Sequence, residues 1–296
     1  MLVPMSRSIA KVARRLSHLP ALTRGTLAAL RGAVVAYWFK DSSNWGDALN
    51  PVLIKAISHR AATHSDDTVF TNDGVRYSVI GSVLHRLRRP DFVVWGSGFI
   101  TGDRSTARSR MHVRPRSVRA VRGPLTRERL LEQGISCPKV YGDPALLYPA
   151  FYRPEIEKRF RIGIVPHYAD FHDERLQRFR ANPETPVIDM LGGVNDVVDD
   201  ALACECIASS SLHGLVLACA YGIPAVWMSM SDRLVGDGFK FRDFFASLGY
   251  QAGDPFPFTS HTTADDLIAA MKELPNNVDL DSLLDACPFG NITRHA

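Results

Sequence analysis

Short apolar runs alternate along most of this chain with segments of helical periodicity, and nearly every run ends in a cluster of small or polar residues. The runs are Val34–Phe39, Ser78–Ile80, Phe92–Trp95, Val118–Val121, Lys139–Tyr141, Arg161–Val165, Val187–Met190, Cys206–Ala208 and Ala225–Met228. Helical patterns fall between them at Asp47–Ser58, Pro124–Gln133, Glu174–Ala181, Asn195–Ala203, Leu212–Tyr221 and Phe241–Leu248. Alternation of this kind predicts an α/β fold of mainly parallel sheets covered by helices.

With 296 residues the chain exceeds the usual size of one core, so two domains are expected, with one large domain as the alternative. The prolines of Tyr148–Pro154, followed by the charged stretch Glu155–Arg161, break the rhythm and mark a boundary. The expected organisation is a basic arm over residues 1–30, a Rossmann-like domain over 31–155, and a second over 156–296 ending in helices. The two domains face each other across a cleft.

The net charge of +4 resides in the arm, because residues 1–40 hold seven Lys or Arg and no acid, leaving −3 for the remainder. A nucleic-acid-binding body is thereby disfavoured. Within the arm Ile9, Val12, Ala13 and Leu16 fall on one helical face and Arg7, Lys11, Arg14 and Arg15 crowd the rest. That pattern suits peripheral contact with an anionic membrane, and equally a helix packed on the body. No apolar run is long enough to span a bilayer, and no secretory signal is apparent. Five scattered cysteines do not form a disulfide framework, which points to a reducing cytoplasm. Cys204-x-Cys206 lacks zinc-ligand spacing, and no metal is expected.

Ligands of open α/β sheets bind beyond the carboxyl ends of the strands, so the turns after strands hold the candidate site. Ser209-Ser210-Ser211-Leu212-His213-Gly214 joins a strand directly to a helix. It offers backbone N–H groups, hydroxyls and an imidazole where anions bind well, although serines also simply cap helices. Asp41–Asp47 follows the first strand, and Gly96-Ser97-Gly98 follows Trp95. The latter is not a dinucleotide fingerprint, but it lets a ligand approach backbone. Seven arginines between Arg104 and Arg122, with no acid among them, predict an anion-binding role for at least one. Arg122, placed between a strand and a helix that starts with Pro124, is expected to point into the cleft or to pair with Glu128 or Asp143. Asp143 either orients a sugar hydroxyl and takes its proton or caps the turn before Pro144.

In order along the chain, Asn44-Trp45-Gly46-Asp47, Trp95-Gly96-Ser97-Gly98, Val121-Arg122-Gly123-Pro124, Gly142-Asp143-Pro144-Ala145 and Ser210-Ser211-Leu212-His213-Gly214 resemble the motifs of the polysaccharide pyruvyl transferase family. The likeness covers roughly residues 34–250. It implies a GT-B-like pair of Rossmann domains, phosphoenolpyruvate as co-substrate without a further cofactor, and a hexose acceptor in a bacterial surface polysaccharide or its polyprenyl-diphosphate-linked precursor. The product would be a pyruvate ketal, formed in the cytoplasm or at the inner face of the plasma membrane.

The expected catalytic residues are His213, as the acid that protonates the donor methylene, with Asp143 or Asp47 taking the hydroxyl proton. Arg122, Ser210, Ser211, Lys240, Gly96 and Gly98 are expected on the donor, Asn44 and Trp45 on the acceptor. Some family members carry Arg-Leu-His where this chain has Ser211-Leu212-His213, so another cation must compensate, and Lys240 is the candidate. Two other functions compete: a nucleotide-sugar glycosyltransferase with the same cleft, and a non-catalytic component of a polysaccharide assembly complex.

Overall fold

The computed structural model describes residues 7–40, 44–231, 236–275 and 277–289, the side chains of residues 7–18 excepted. The expected apolar face Ile9–Leu16 therefore lies outside the described side chains. The first half runs α1 (Arg7–Leu30), β1 (Val34–Tyr37), α2 (Trp45–Ser58), β2 (Ala62–His64), β3 (Arg76–Ser78), β4 (Phe92–Trp95), β5 (Ser117–Ala120) and α3 (Pro124–Glu132). A 3-10 helix, Pro144–Ala150, leads to β6 (Phe160–Val165), α4 (Gln177–Arg180), α5 (Val194–Leu202), β7 (Cys204–Ser209), α6 (Leu212–Tyr221), β8 (Ala225–Ser229), α7 (Phe239–Ser247), β9 (Phe256–Pro257), α8 (Ala264–Ala269) and α9 (Leu280–Asp285).

The fold is α/β with two parallel sheets, ordered β2-β1-β3-β4-β5 and β6-β7-β8-β9. In the first sheet the order reverses between β1 and β3, which is a topological switch point of the kind where doubly wound sheets bind ligands. The second sheet repeats the scheme in reduced form: Val187 makes a parallel bridge to Ile164 on the free side of β6, so its reversal falls between β6 and β7. The runs expected as strands at Lys139–Tyr141 and Val187–Met190 are reduced to single bridges, Val121 to Tyr141 and Ile164 to Val187. Each follows a proline, Pro138 or Pro186, whose nitrogen cannot donate to a ladder.

One apolar core runs through both halves, with Trp45, Trp95, Leu212 and Phe244 in a single cluster. Tryptophans fasten the halves together: Trp45 Nε1 donates to the Val194 carbonyl at 3.0 Å, and Trp95 Nε1 donates to that of Leu283 at 2.8 Å. The segment expected as a boundary is itself packed, since the Tyr148 and Tyr152 hydroxyls donate to Asn195 and Asp199 of α5 at 2.6 and 2.8 Å. The last described residues return to the first sheet, where the Phe289 ring meets Tyr77 and Trp95 edge-on. No helix among the described residues is long and apolar enough to cross a membrane.

Candidate active site

Both switch points open into one cavity of about 170 Å³. Phe39, Asn44 and Asp47 reach it from the turn after β1, Gly81 and Ser82 from the turn after β3, His167 and Tyr168 from that after β6, and Ser211, Leu212 and His213 from that after β7. Val83, His85, Arg86, Ile100, Arg108 and Lys240 complete the wall.

The centre of the site is a contact between residues 169 positions apart. Asn44 caps α2, its side-chain oxygen accepting from the Gly46 amide at 3.2 Å. Its amide nitrogen donates to Asp47 Oδ2 at 2.5 Å, which orients the group. The same Asn44 oxygen lies 2.7 Å from His213 Nδ1. A carboxamide oxygen can only accept, so the network assigns the imidazole proton to Nδ1. His213 Nε2 is left buried and unpartnered, on a ring that lines the cavity. The ring rests against the backbone of Gly46, where a Cβ would collide with three of its atoms. The Trp-Gly-Asp motif and the Leu-His-Gly motif are thus two parts of one device.

Charge is arranged around that nitrogen. Burial pushes the Asp47 carboxyl up to about 7, against hydrogen bonds from the Phe39 amide and Asn44 and the charges of Lys240 and Arg86. Burial and then the Arg122 charge lower the Lys240 ammonium to about 8, with Asp47 opposing. Its nitrogen lies 5.2 Å from the Phe241 ring centroid. Burial, reinforced by Lys240, Arg122 and His167, lowers His213 to about 3. His167 falls to about 3 through burial and Lys240, and His85 to about 4 through burial and Arg86, Arg108 and Arg88. The cavity wall therefore presents neutral imidazoles among cations, an arrangement that attracts an anion and accepts a proton with it.

The structure brings together Asn44, Asp47, Ser211, His213 and Lys240 and sets the other expected residues elsewhere. Arg122 is fully buried and does not face the cavity. Its guanidinium pairs with Asp243 at 2.9 Å and donates to the Ser82 hydroxyl at 2.6 Å and the Phe99 carbonyl at 2.7 Å. It pins α7 behind the site, where Asp243 also receives the Thr126 amide and hydroxyl. Asp143 is a buried cap, accepting from the Ala145 amide at 3.1 Å. Gly96 and Gly98 make room for Pro144 and for the Arg122 guanidinium respectively. Ser210 is spent on the His167 amide at 2.9 Å, and Trp45 is a core residue.

His167, His85 and Arg86 escaped the sequence reading. His167 stands after β6 as Ser211 stands after β7, and that position was the available signal. Arg86 follows the Gly81-Ser82 turn, and its guanidinium lies 4.5 Å above the Phe39 ring centroid. Arg108 comes from the arginine-rich stretch.

Residues 46–232 match the family model described as polysaccharide pyruvyl transferase. The chain belongs to that family. Among curated relatives of this family member, Succinoglycan biosynthesis protein ExoV of Rhizobium meliloti (strain 1021) is 27% identical over 219 residues, covering 72% of this chain and 64% of that protein. Uncharacterized protein L143 of Acanthamoeba polyphaga mimivirus is 26% identical over 232 residues, covering 75% and 76% respectively. No solved structure matches the chain.

Proposed function

We propose that this pyruvyl transferase uses phosphoenolpyruvate as donor and a hexose of a bacterial surface polysaccharide, or its lipid-linked precursor, as acceptor, in a GT-B-like cleft. The observation that carries the reading is the unpartnered His213 Nε2 in a cavity also lined by Lys240, Arg86 and Arg108. A donor with both a carboxylate and a phosphate needs several cations close to one proton carrier. Lys240 supplies the charge that Ser211 cannot.

In this mechanism His213 takes up a proton on Nε2 and delivers it to the donor methylene carbon, leaving an oxocarbenium-like C2. A sugar hydroxyl adds to C2 and gives its proton to Asp47, the C2–O bond to phosphate breaks as that proton passes to the departing phosphate, and a second hydroxyl closes the ketal while its proton returns to His213 Nε2. Cations on the cavity wall offset the charge on the departing phosphate. Titration calorimetry with phosphoenolpyruvate and with a panel of nucleotide sugars tests this. Phosphoenolpyruvate binding that disappears in Lys240→Ala supports the donor assignment; binding of a nucleotide sugar instead overturns it.

A further inference from the structure

The helix α1 carries an apolar stripe that the body leaves uncovered. Leu19, Leu27 and Leu30 are 50%, 45% and 56% exposed. With Thr23 they follow one another at intervals of four, four and three, which is one face of a helix. In the sequence the same spacing continues upstream through Leu16, Val12 and Ile9. The opposite face is the one packed on the protein: Gly25 is buried against Asp67, and Ala21, Gly25 and Ala28 share a groove with Thr63 and Asp67.

One further observation selects the occupant. Residues 1–40 contain seven basic residues and no acid, so a second copy of the helix would set like charges against each other, whereas an anionic surface is complementary. We propose that α1 lies on an anionic bilayer, with its leucine face among the headgroups and the basic residues of this end of the chain adding attraction to the anionic lipids.

Flotation of the full chain with vesicles tests this independently of any donor. Vesicles of phosphatidylcholine with phosphatidylglycerol are compared with vesicles of phosphatidylcholine alone, for wild type and for the triple variants Leu19→Ser/Leu27→Ser/Leu30→Ser and Leu19→Glu/Leu27→Glu/Leu30→Glu. These side chains are exposed, so an unchanged melting temperature confirms that the variants fold. The expected result is association with the anionic vesicles only, reduced by at least about tenfold in both variants. No association, equal association with neutral vesicles, or a wild-type dimer in light scattering that the triple variants abolish would overturn the proposal.

Discussion

Gly46→Ala separates the seat of the imidazole from the rest of the fold. The added methyl would overlap Cγ, Cδ2 and Cε1 of His213. Because the methyl is fixed to the first turn of α2, the ring must retreat by about 1 Å to regain ordinary contact. Overpacking costs about 1–3 kcal/mol, and replacing a helical glycine by alanine returns up to about 1 kcal/mol. The net loss of stability is therefore about 0–2 kcal/mol, a fall of a few degrees in melting temperature. A displacement of about 1 Å at a reacting group costs about 100-fold in rate. Phosphate release from phosphoenolpyruvate in the presence of an acceptor, measured beside a thermal melt, reads both numbers. Gly253→Ala, where an added Cβ meets nothing within 4 Å, is the matched control. Full turnover in Gly46→Ala, or a loss no larger than the unfolded fraction explains, would refute the argument that Gly46 places His213.

Three more predictions follow from the same contacts. Asp47→Asn removes a carboxyl whose folded pKa is raised to about 7; wild type holds that stabilisation at low pH and loses it progressively as pH rises from the unfolded carboxylate range through 7. Its advantage over the variant should shrink by about 1.3 kcal/mol between pH 5 and 6 in thermal melts and level off above pH 7, and a pH-independent difference would count against it. Arg122→Ala leaves Asp243 buried without its cation and should cost about 3–5 kcal/mol, whereas Arg122→Met/Asp243→Leu should be more stable than the single variant in denaturant titrations. Asn44→Ala should cost about 1 kcal/mol through the lost helix cap and should also shift the pH profile of turnover, which a purely structural cap would leave in place.

The α/β alternation was legible because each buried strand is a short β-rich run closed by small residues, as at Phe92–Trp95 and Ala225–Ser229. Ala62–His64 and Phe256–Pro257 were not, because three- and two-residue edge strands carry no periodicity. In the site, the turns after β1 and β7 were readable from position alone, since a strand that turns straight into a helix exposes its first residues. The setting of Arg122 was not legible for a different reason. Sequence shows that a guanidinium stands at a strand end but not that Asp243, 121 positions later, neutralises it. Likewise nothing local in Asn44-Trp45-Gly46-Asp47 reveals that its asparagine holds His213 and its tryptophan holds α5.

On the proposed donor assignment, the neutrality of His213 makes donor binding a protonation event. With its pKa near 3, charging the imidazole at pH 7 costs about 5.5 kcal/mol. One anionic oxygen about 4 Å away, at the effective dielectric of a partly buried site, returns about 4 kcal/mol. A single carboxylate is then insufficient, while a phosphate and a carboxylate together carry the imidazole past neutrality. Lys240, near 8, is pushed upward by the same anion and so also moves toward proton uptake. Calorimetric titration of phosphoenolpyruvate at pH 7 in buffers of different ionisation enthalpy should therefore report net uptake, smaller by most of one proton in His213→Gln. Equal uptake in the two proteins would remove His213 as the proton carrier while leaving the cationic wall as the binding site. Proton release on binding would contradict the electrostatic account of the cavity altogether.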